Sequence, residues 1–420
     1  MMVFKLNSIV LRLAIGLFAV LFAAFTIFAA KWNFANSVSS RVDTKEIADI
    51  AAALGPDDPQ TRYAAAVLYE KTFDPDDLAY SLSEFESAVA NSPNNYLSWL
   101  ALGQARGRSG DITGAESALR KALELAPNYA DVQWAYGNSI LRAGDVAGGF
   151  EQIRNAAAGR PQFVVPAVVT AMTHFDGDLE NVQRAIGNSS SINAALSIYL
   201  VSQARFTESA SVWESLPDGE RSTTLKPQAD LLFNALISAK KFRLARRVSR
   251  DISTDSVSQT RELTDGSFEK GVKMRGTSYF EWMIADGPEP QIAISNSQRV
   301  SGSNSLTLAF SATQTKEFRN ISQNVAVEPG ANYRFSSFYR SELKAVTTLR
   351  WEIVNISDGQ ILGKTDPFLI NADWTKNETH FISPATIDGV VIRLVRADCT
   401  SSICPIAGRI WIDDVSVSRF

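Results

Sequence analysis

At 420 residues, with a formal charge of -4 and 45% hydrophobic residues, the chain has room for two or three folded units of ordinary globular composition. The acidic balance gives no overall basic footprint, which excludes nucleic acid as a partner. Two histidines, His174 and His380, and two cysteines, Cys399 and Cys404, leave no cysteine-rich zinc site and few candidates for His- or Cys-based catalysis.

Residues 1–31 read as a cytoplasmic tip and a transmembrane signal anchor. From Leu13 to Ala30 there are 18 consecutive uncharged residues, a helix of about 27 Å that matches a bilayer core with little tilt. Lys5 and Arg12 precede it, and Trp32 and Phe34 follow at the expected interface. The rival is a cleaved signal peptide. Phe28 spoils a cleavage site after Ala30, and Ala35, Asn36 and Ser37 form a weaker one. Residues 32–61 read as a helical or partly ordered spacer that ends in the turn Gly55 to Pro59.

Residues 62–252 carry a repeat. Pro93, Pro127 and Pro161 are spaced 34 residues apart, and the same step relates Gly103 to Gly137 and Ala88 to Ala122 to Ala156. The middle repeat shows Trp99, Leu102, Gly103, Ala115, Leu119, Ala122 and Pro127. Small residues let two helices cross closely, Leu119 fills the gap between them, and Pro127 ends the second helix. The flanking repeats depart from this pattern at Tyr69, where glycine is usual, and at Gly149, where a larger residue or alanine is expected. In period and residue types the array resembles the tetratricopeptide repeat family, whose helix pairs stack into a superhelix with a concave groove for a protein partner. On that resemblance Tyr63, Glu70, Gln104, Arg108, Trp134, Asn138 and Arg142 are expected on the groove face. Trp134 beside Asn138 and Arg142 suits an extended peptide; the competing reading packs Trp134 against a neighbouring helix. The supporting lysines of the family's carboxylate-clamp subset are missing. After Pro161 the period decays, yet residues 194–203, 207–216, 228–239 and 242–252 still read as amphipathic helices that continue and cap the array. Residues 253–259 read as a linker.

Residues 260–420 change character to short alternating strands, for example 305–310, 333–339, 347–354, 390–395 and 409–417. The expected fold is multidomain, α then β: a transmembrane helix, an α-superhelix, and a β-sandwich of jelly-roll type. The phrases around Asp265 to Glu269, Gly302 to Leu306, Val327 to Tyr333, Asp373 to Thr375 and Trp411 to Val417 occur in an order that resembles carbohydrate-binding modules of the galactose-binding-like superfamily. That resemblance implies a glycan-binding module, although the superfamily also includes modules that bind no sugar. Strand parity puts Leu349, Trp351 and Ile353 towards the core, and Trp374 and Trp411 occupy family-like core positions. The opposite face is expected to gather Phe338, Arg340, Arg350, Glu352 and Arg393 for an acidic polysaccharide, provided their strands are neighbours; the alternative is a solvated charged face. The resemblance also implies a structural calcium near the first and last strands. Glu269 and one of Asp413 and Asp414, with Asp414 preferred, match ligand positions there.

Cys399 and Cys404 flank a short loop that a disulfide would close, which fits an oxidising compartment; two free thiols are the alternative. Phosphate-cradling, nucleophile-elbow and zinc-protease motifs are all missing, so no enzyme is expected and no cofactor is required. The sequence therefore reads as a single-pass protein of a bacterial inner membrane with its bulk in the periplasm. Its repeats would hold a protein partner and its sandwich a glycan, in cell-surface or exopolysaccharide assembly. The alternatives are a purely protein-binding adaptor and a polysaccharide-modifying hydrolase with paired carboxylates.

Overall fold

The computed structural model describes residues 9–41, 43–72, 74–252, 262–313, 318–399 and 403–420. The segment 253–259, read as a linker, and the first eight residues lie outside them. The helical half comes first, with one N-terminal helix of membrane-spanning length, and a two-sheet antiparallel β-sandwich follows. The chain divides into two compact units, Met1–Ile192 and Asn193–Phe420.

Helix α1 (Ile9–Ser39) has 31 residues, a length of about 46 Å. Its apolar stretch buries nothing within the protein, so it has the length and composition of either a membrane span or a signal sequence. Its far end behaves differently. Ala35 and Ser39 are buried, and this end packs on α2 (Lys45–Leu54) and α3 (Pro59–Glu70). A Cβ placed on Gly55 would come within 3.0 Å of the Ala35 methyl, and Asn36 Nδ2 donates to Asp58 at 3.3 Å. Within the stretch read as a helical or partly ordered spacer, residues 32–39 and 45–54 are therefore packed helix.

Three helix pairs follow: α3 with α4 (Pro75–Asn91), α5 (Tyr96–Ser109) with α6 (Ile112–Leu125), and α7 (Ala130–Arg142) with α8 (Val146–Gly159). The 34-residue step is visible in their hydrogen bonds. Trp99 Nε1 donates to the carbonyl of Pro93 and Gln133 Nε2 to that of Pro127, both at 2.8 Å. The turns repeat as well. Gly110 and Gly144 take φ of +88° and +98°, where a side chain would be strained. The next residues, Asp111 and Asp145, cap α6 and α8 by accepting from the amides of Gly114 and Gly148 at 2.8 and 2.9 Å. Helix crossing depends on the small residues the repeat preserves. A Cβ on Gly149 would lie 3.0 Å from the Gly137 carbonyl oxygen, so a glycine where a larger residue was expected lets α8 rest on the α7 backbone. Tyr69, in a usual glycine position, instead donates to Asp49 at 2.9 Å and packs on Tyr80. Helices α9 (Val164–His174) and α10 (Leu179–Ile186) complete the unit.

Helix α11 (Ser190–Ser202) leads into α12 (Phe206–Glu214), α13 (Asp218–Arg221), α14 (Lys226–Ser238) and α15 (Phe242–Ile252). Ser197 and Ser209 join α11 to α12 by reciprocal hydroxyl-to-carbonyl bonds of 2.8 Å in a buried setting. Trp213, fully buried, donates to Asp251 at 2.9 Å. The core these helices build, with Leu232, Leu236 and Phe242, also contains Phe280 and Ala326 from the C-terminal half. Asp388 caps α15, accepting from the amides of Phe242 and Arg243 at 2.8 and 3.1 Å. A Cβ on Gly389 would fall 2.4 Å from the Phe242 ring. Helices α11–α15 and the sandwich thus share buried surface, which explains why the units divide near residue 192 rather than at the helix-to-strand change.

The strands are β1 (Met283–Ile284), β2 (Gln291–Ser295), β3 (Ser305–Thr313), β4 (Ile321–Ala326), β5 (Asn332–Ala345), β6 (Leu349–Asn355), β7 (Ile361–Lys364), β8 (Asn371–Ile382), β9 (Gly389–Arg396) and β10 (Ile406–Arg419). One sheet has the order β1-β4-β9-β6-β7 and the other β2-β3-β10-β5-β8. Their inner faces interdigitate around Phe335, Trp351, Leu394 and Ile410. Cys399 and Cys404 form a disulfide.

Candidate functional site

In the helical unit, Gln104, Arg108, Trp134, Asn138 and Arg142 line one concavity of about 300 Å³ between the first helices of successive pairs. Glu70 reaches it indirectly, through an ion pair with Arg108 that ties α3 to α5. Tyr63 lies apart, packed edge-on against Phe85 at 5.8 Å. Trp134 is half-buried and stacks on Phe163 at 5.1 Å, so part of its ring serves packing. Asn138 Nδ2 donates to the Trp134 carbonyl at 2.8 Å. Among the described residues Arg142 has no ion pair and is exposed. The concavity therefore offers an aromatic edge, two amide side chains and an uncompensated guanidinium.

The five residues expected to share one face of the sandwich do not. Phe338 and Arg340 are on β5, while Arg350 and Glu352 are on β6 and Arg393 is on β9, in the other sheet. β6 and β9 are neighbours and set Glu352 opposite Arg393, but β5 lies apart from both, because it pairs with β10 and β8. Glu352 is only 4% exposed. Both Arg350 and Arg393 grip it with two nitrogens, at 2.9–3.1 Å and 2.8–3.1 Å, and Arg350 also pairs with Asp398 at 3.1 Å. These forks are committed to internal carboxylates.

On the other sheet, parity turns Trp411 outward, since Ile410 and Ile412 are in the core. This corrects the core position expected for it. Trp411 is nevertheless buried; it lies between Thr307 of β3 and Arg340 of β5, and the Arg340 guanidinium sits over its ring at 6.0 Å. Arg340 also pairs with Asp373 at 3.0 Å and Glu342 at 3.2 Å. Its Nε and the Thr307 hydroxyl are buried without a hydrogen-bond partner among the described residues. Phe338 and Trp374 are half-buried on the same sheet, Trp374 where the β5–β8 register shifts.

No family model and no curated protein matches the chain. Solved structures show distant likeness. A structure described as "CBM4 structure and function" is 17% identical, covering 38% of this chain and 99% of that one, with a TM-score of 0.29. The structure of TmCBM61 in complex with beta-1,4-galactotriose is 15% identical, covering 38% and 99%, with a TM-score of 0.27. A MamA protein is 13% identical, covering 44% and 90%, with a TM-score of 0.30. None of these fixes a ligand or a site for this chain.

At the rim where β10 meets the loop before β3, carboxylates are taken up by backbone amides. Glu269 Oε1 accepts from Ser303 and Asn304 at 2.8 and 3.1 Å. Asp413, fully buried, accepts from Val300, Ser301 and Asp414 at 2.7–3.1 Å. Asp414, at φ +47°, accepts from the Ser301 hydroxyl at 2.7 Å. Burial pushes the Asp413 carboxyl above the usual range, against the pull of its three amide donors. No group of three or more His, Cys, Asp or Glu arranged to hold a metal occurs among the described residues. The carboxylates expected as calcium ligands act here as pins for the 300–304 loop.

A feature the sequence reading passed over lies on α15. Arg243, Arg246, Arg247 and Arg250 follow the i, i+3, i+4, i+7 spacing of a single helix face, and that spacing was the available signal. Two clefts of about 320 Å³ each border this stripe.

Proposed function

We propose that the chain is a membrane-tethered adaptor of the bacterial periplasm that binds a protein segment in its helical concavity and a saccharide on its sandwich, with a binding rather than a catalytic role. The observation that carries this reading is the concavity: five side chains chosen from the repeat register converge there, one of them a guanidinium with no counter-charge among the described residues. Such a surface suits an extended peptide bearing a carboxylate. The buried contact between Ala35 and the Gly55 turn supports retention of α1 as an anchor, because cleavage near Ser37 would remove part of a folded interface. The disulfide supports an oxidising compartment. The saccharide arm draws on the row Thr307–Trp411–Arg340, where two unpartnered polar atoms flank an aromatic ring. The rim carboxylates, already supplied with amide donors, fit a saccharide arm that works without calcium.

A purely protein-binding adaptor is favoured by one observation, the internal neutralisation of Arg350 and Arg393.

The test is a photo-crosslinking residue placed at Gln104 in the full chain in cells, with Arg120, on the exposed side of α6, as the control position. The expected result is a discrete adduct from position 104 in carbonate-resistant membranes, carried by chain of full-length mass and lost on Arg142→Glu. Equal labelling from position 120, or recovery of a shortened soluble chain, would sink the reading.

A further inference from the structure

Helix α15 puts four arginines on one stripe, yet like charges four residues apart oppose each other on a helix. Arg246 and Arg250 form such a pair, and the charge of Arg250, after burial itself, holds the Arg246 guanidinium below its usual pKa. Arg246 is half-buried, donates to the Thr264 hydroxyl at 2.9 Å and lies over the Phe280 ring at 5.3 Å. Arg250 is exposed and has no ion pair among the described residues.

The two clefts that border this stripe share Arg246 and Arg250, and together they bring seven cationic side chains against four carboxylates. The carboxylates are largely engaged. Glu281 pairs with Lys273 at 3.4 Å and accepts the Ser278 amide at 3.0 Å. Asp265 accepts the amides of Glu269 and Lys270 at 2.9 and 3.1 Å, and Glu328 pairs with Arg243 at 3.2 Å and with Arg419. In a chain of net charge -4 this is a local excess of positive charge held in a concave surface.

The lining of the first cleft narrows the ligand. Beside the cations it presents the hydroxyls of Ser249, Thr264, Thr277 and Ser278, with Val272 and Trp282 as its apolar part. Hydroxyls interleaved with guanidinium and ammonium groups match a ligand that carries both hydroxyls and carboxylates. At about 320 Å³ the cleft falls at the small end of ligand sites.

We infer that the cleft between α15 and the 264–282 segment is a binding site for the carboxylate-bearing units of an acidic saccharide, separate from the row at Trp411. It goes beyond the adaptor reading, since neither the helical concavity nor the Trp411 row contributes a residue to it.

The experiment is titration of the detergent-solubilised full chain with trigalacturonate and with its methyl ester, which keeps the sugars and removes the charge. Inorganic phosphate and phosphatidylglycerol vesicles serve as alternative anion sources. The expected result is saturable binding of the acid, weaker with rising salt, and none of the ester. Arg250→Gln should weaken binding by about tenfold, as loss of one charge-assisted contact does, while Arg250→Lys recovers part of it and Arg184→Gln, an exposed arginine of α10, changes nothing. Arg250 is exposed, so its substitution leaves the melting point in place and the affinities comparable. Equal binding of acid and ester, unchanged affinity in Arg250→Gln, loss of binding in Arg184→Gln, or binding of phosphate or vesicles without trigalacturonate would each overturn the assignment.

Discussion

Gly103→Trp is expected to lower the melting temperature of the helical unit by roughly 6–12 °C, corresponding to about 3 kcal/mol in a unit of this size. A Cβ alone at this position would sit 2.5 Å from Leu119 Cγ and 3.1 Å from the Leu119 backbone nitrogen. The second contact cannot be relieved by a rotamer change, so α5 and α6 must separate. Gly107, one turn further along α5, is the internal control. Its Cβ would meet the nearest atom, the Ala115 methyl, at an ordinary 3.7 Å. Gly107→Ala should therefore hold or raise stability, by up to about 1 kcal/mol from helix propensity. Paired thermal melts of the two variants check this, and equal behaviour would show that helix crossing does not depend on Gly103.

Glu352→Gln is expected to destabilise the second unit by about 3 kcal/mol, the lower end of the range for breaking a buried ion pair. Glu352 is buried and its carboxylate is the one group both guanidiniums share. Neutralising it leaves Arg350 and Arg393 facing each other; Arg393, at 35% side-chain exposure, keeps enough water to soften the loss. Replacing all three with Leu and Met of similar volume should recover most of the stability, because the desolvation cost disappears together with the attraction. Denaturant melts of the single and triple variants separate these outcomes. A Glu352→Gln protein as stable as the parent would mean the triad contributes nothing.

The 34-residue step was readable because it places several interactions at once: the proline carbonyl that accepts from Trp99 or Gln133, the Asp111 and Asp145 caps, and the glycine at each helix crossing. Residues of the concavity followed from that register. Strand alternation likewise exposed the core, with Leu349, Trp351 and Ile353 fully buried. Sheet membership was not readable. Parity says which way a side chain points within a strand, and it is silent on which sheet the strand joins. β5 and β6 are consecutive in the chain yet lie in opposite sheets, so Arg340 and Arg350 face away from a common surface. Trp411 failed for another reason: its core position was taken from the family resemblance, whereas the alternation with Ile410 and Ile412, both core, turns its ring to the outer face. The arginine stripe of α15 was visible as a pattern, but only the fold shows that the sandwich closes over it and turns a solvated face into a cleft.

The two-ended adaptor is tested most directly by equilibrium binding of the full chain to a panel of neutral and acidic bacterial polysaccharides, with and without a calcium chelator. The account predicts saturable binding of at least one polysaccharide, insensitive to the chelator and weakened by Phe338→Ala or Arg340→Ala. No binding to any member of the panel would contradict it and leave an adaptor whose sandwich is a second protein-docking surface.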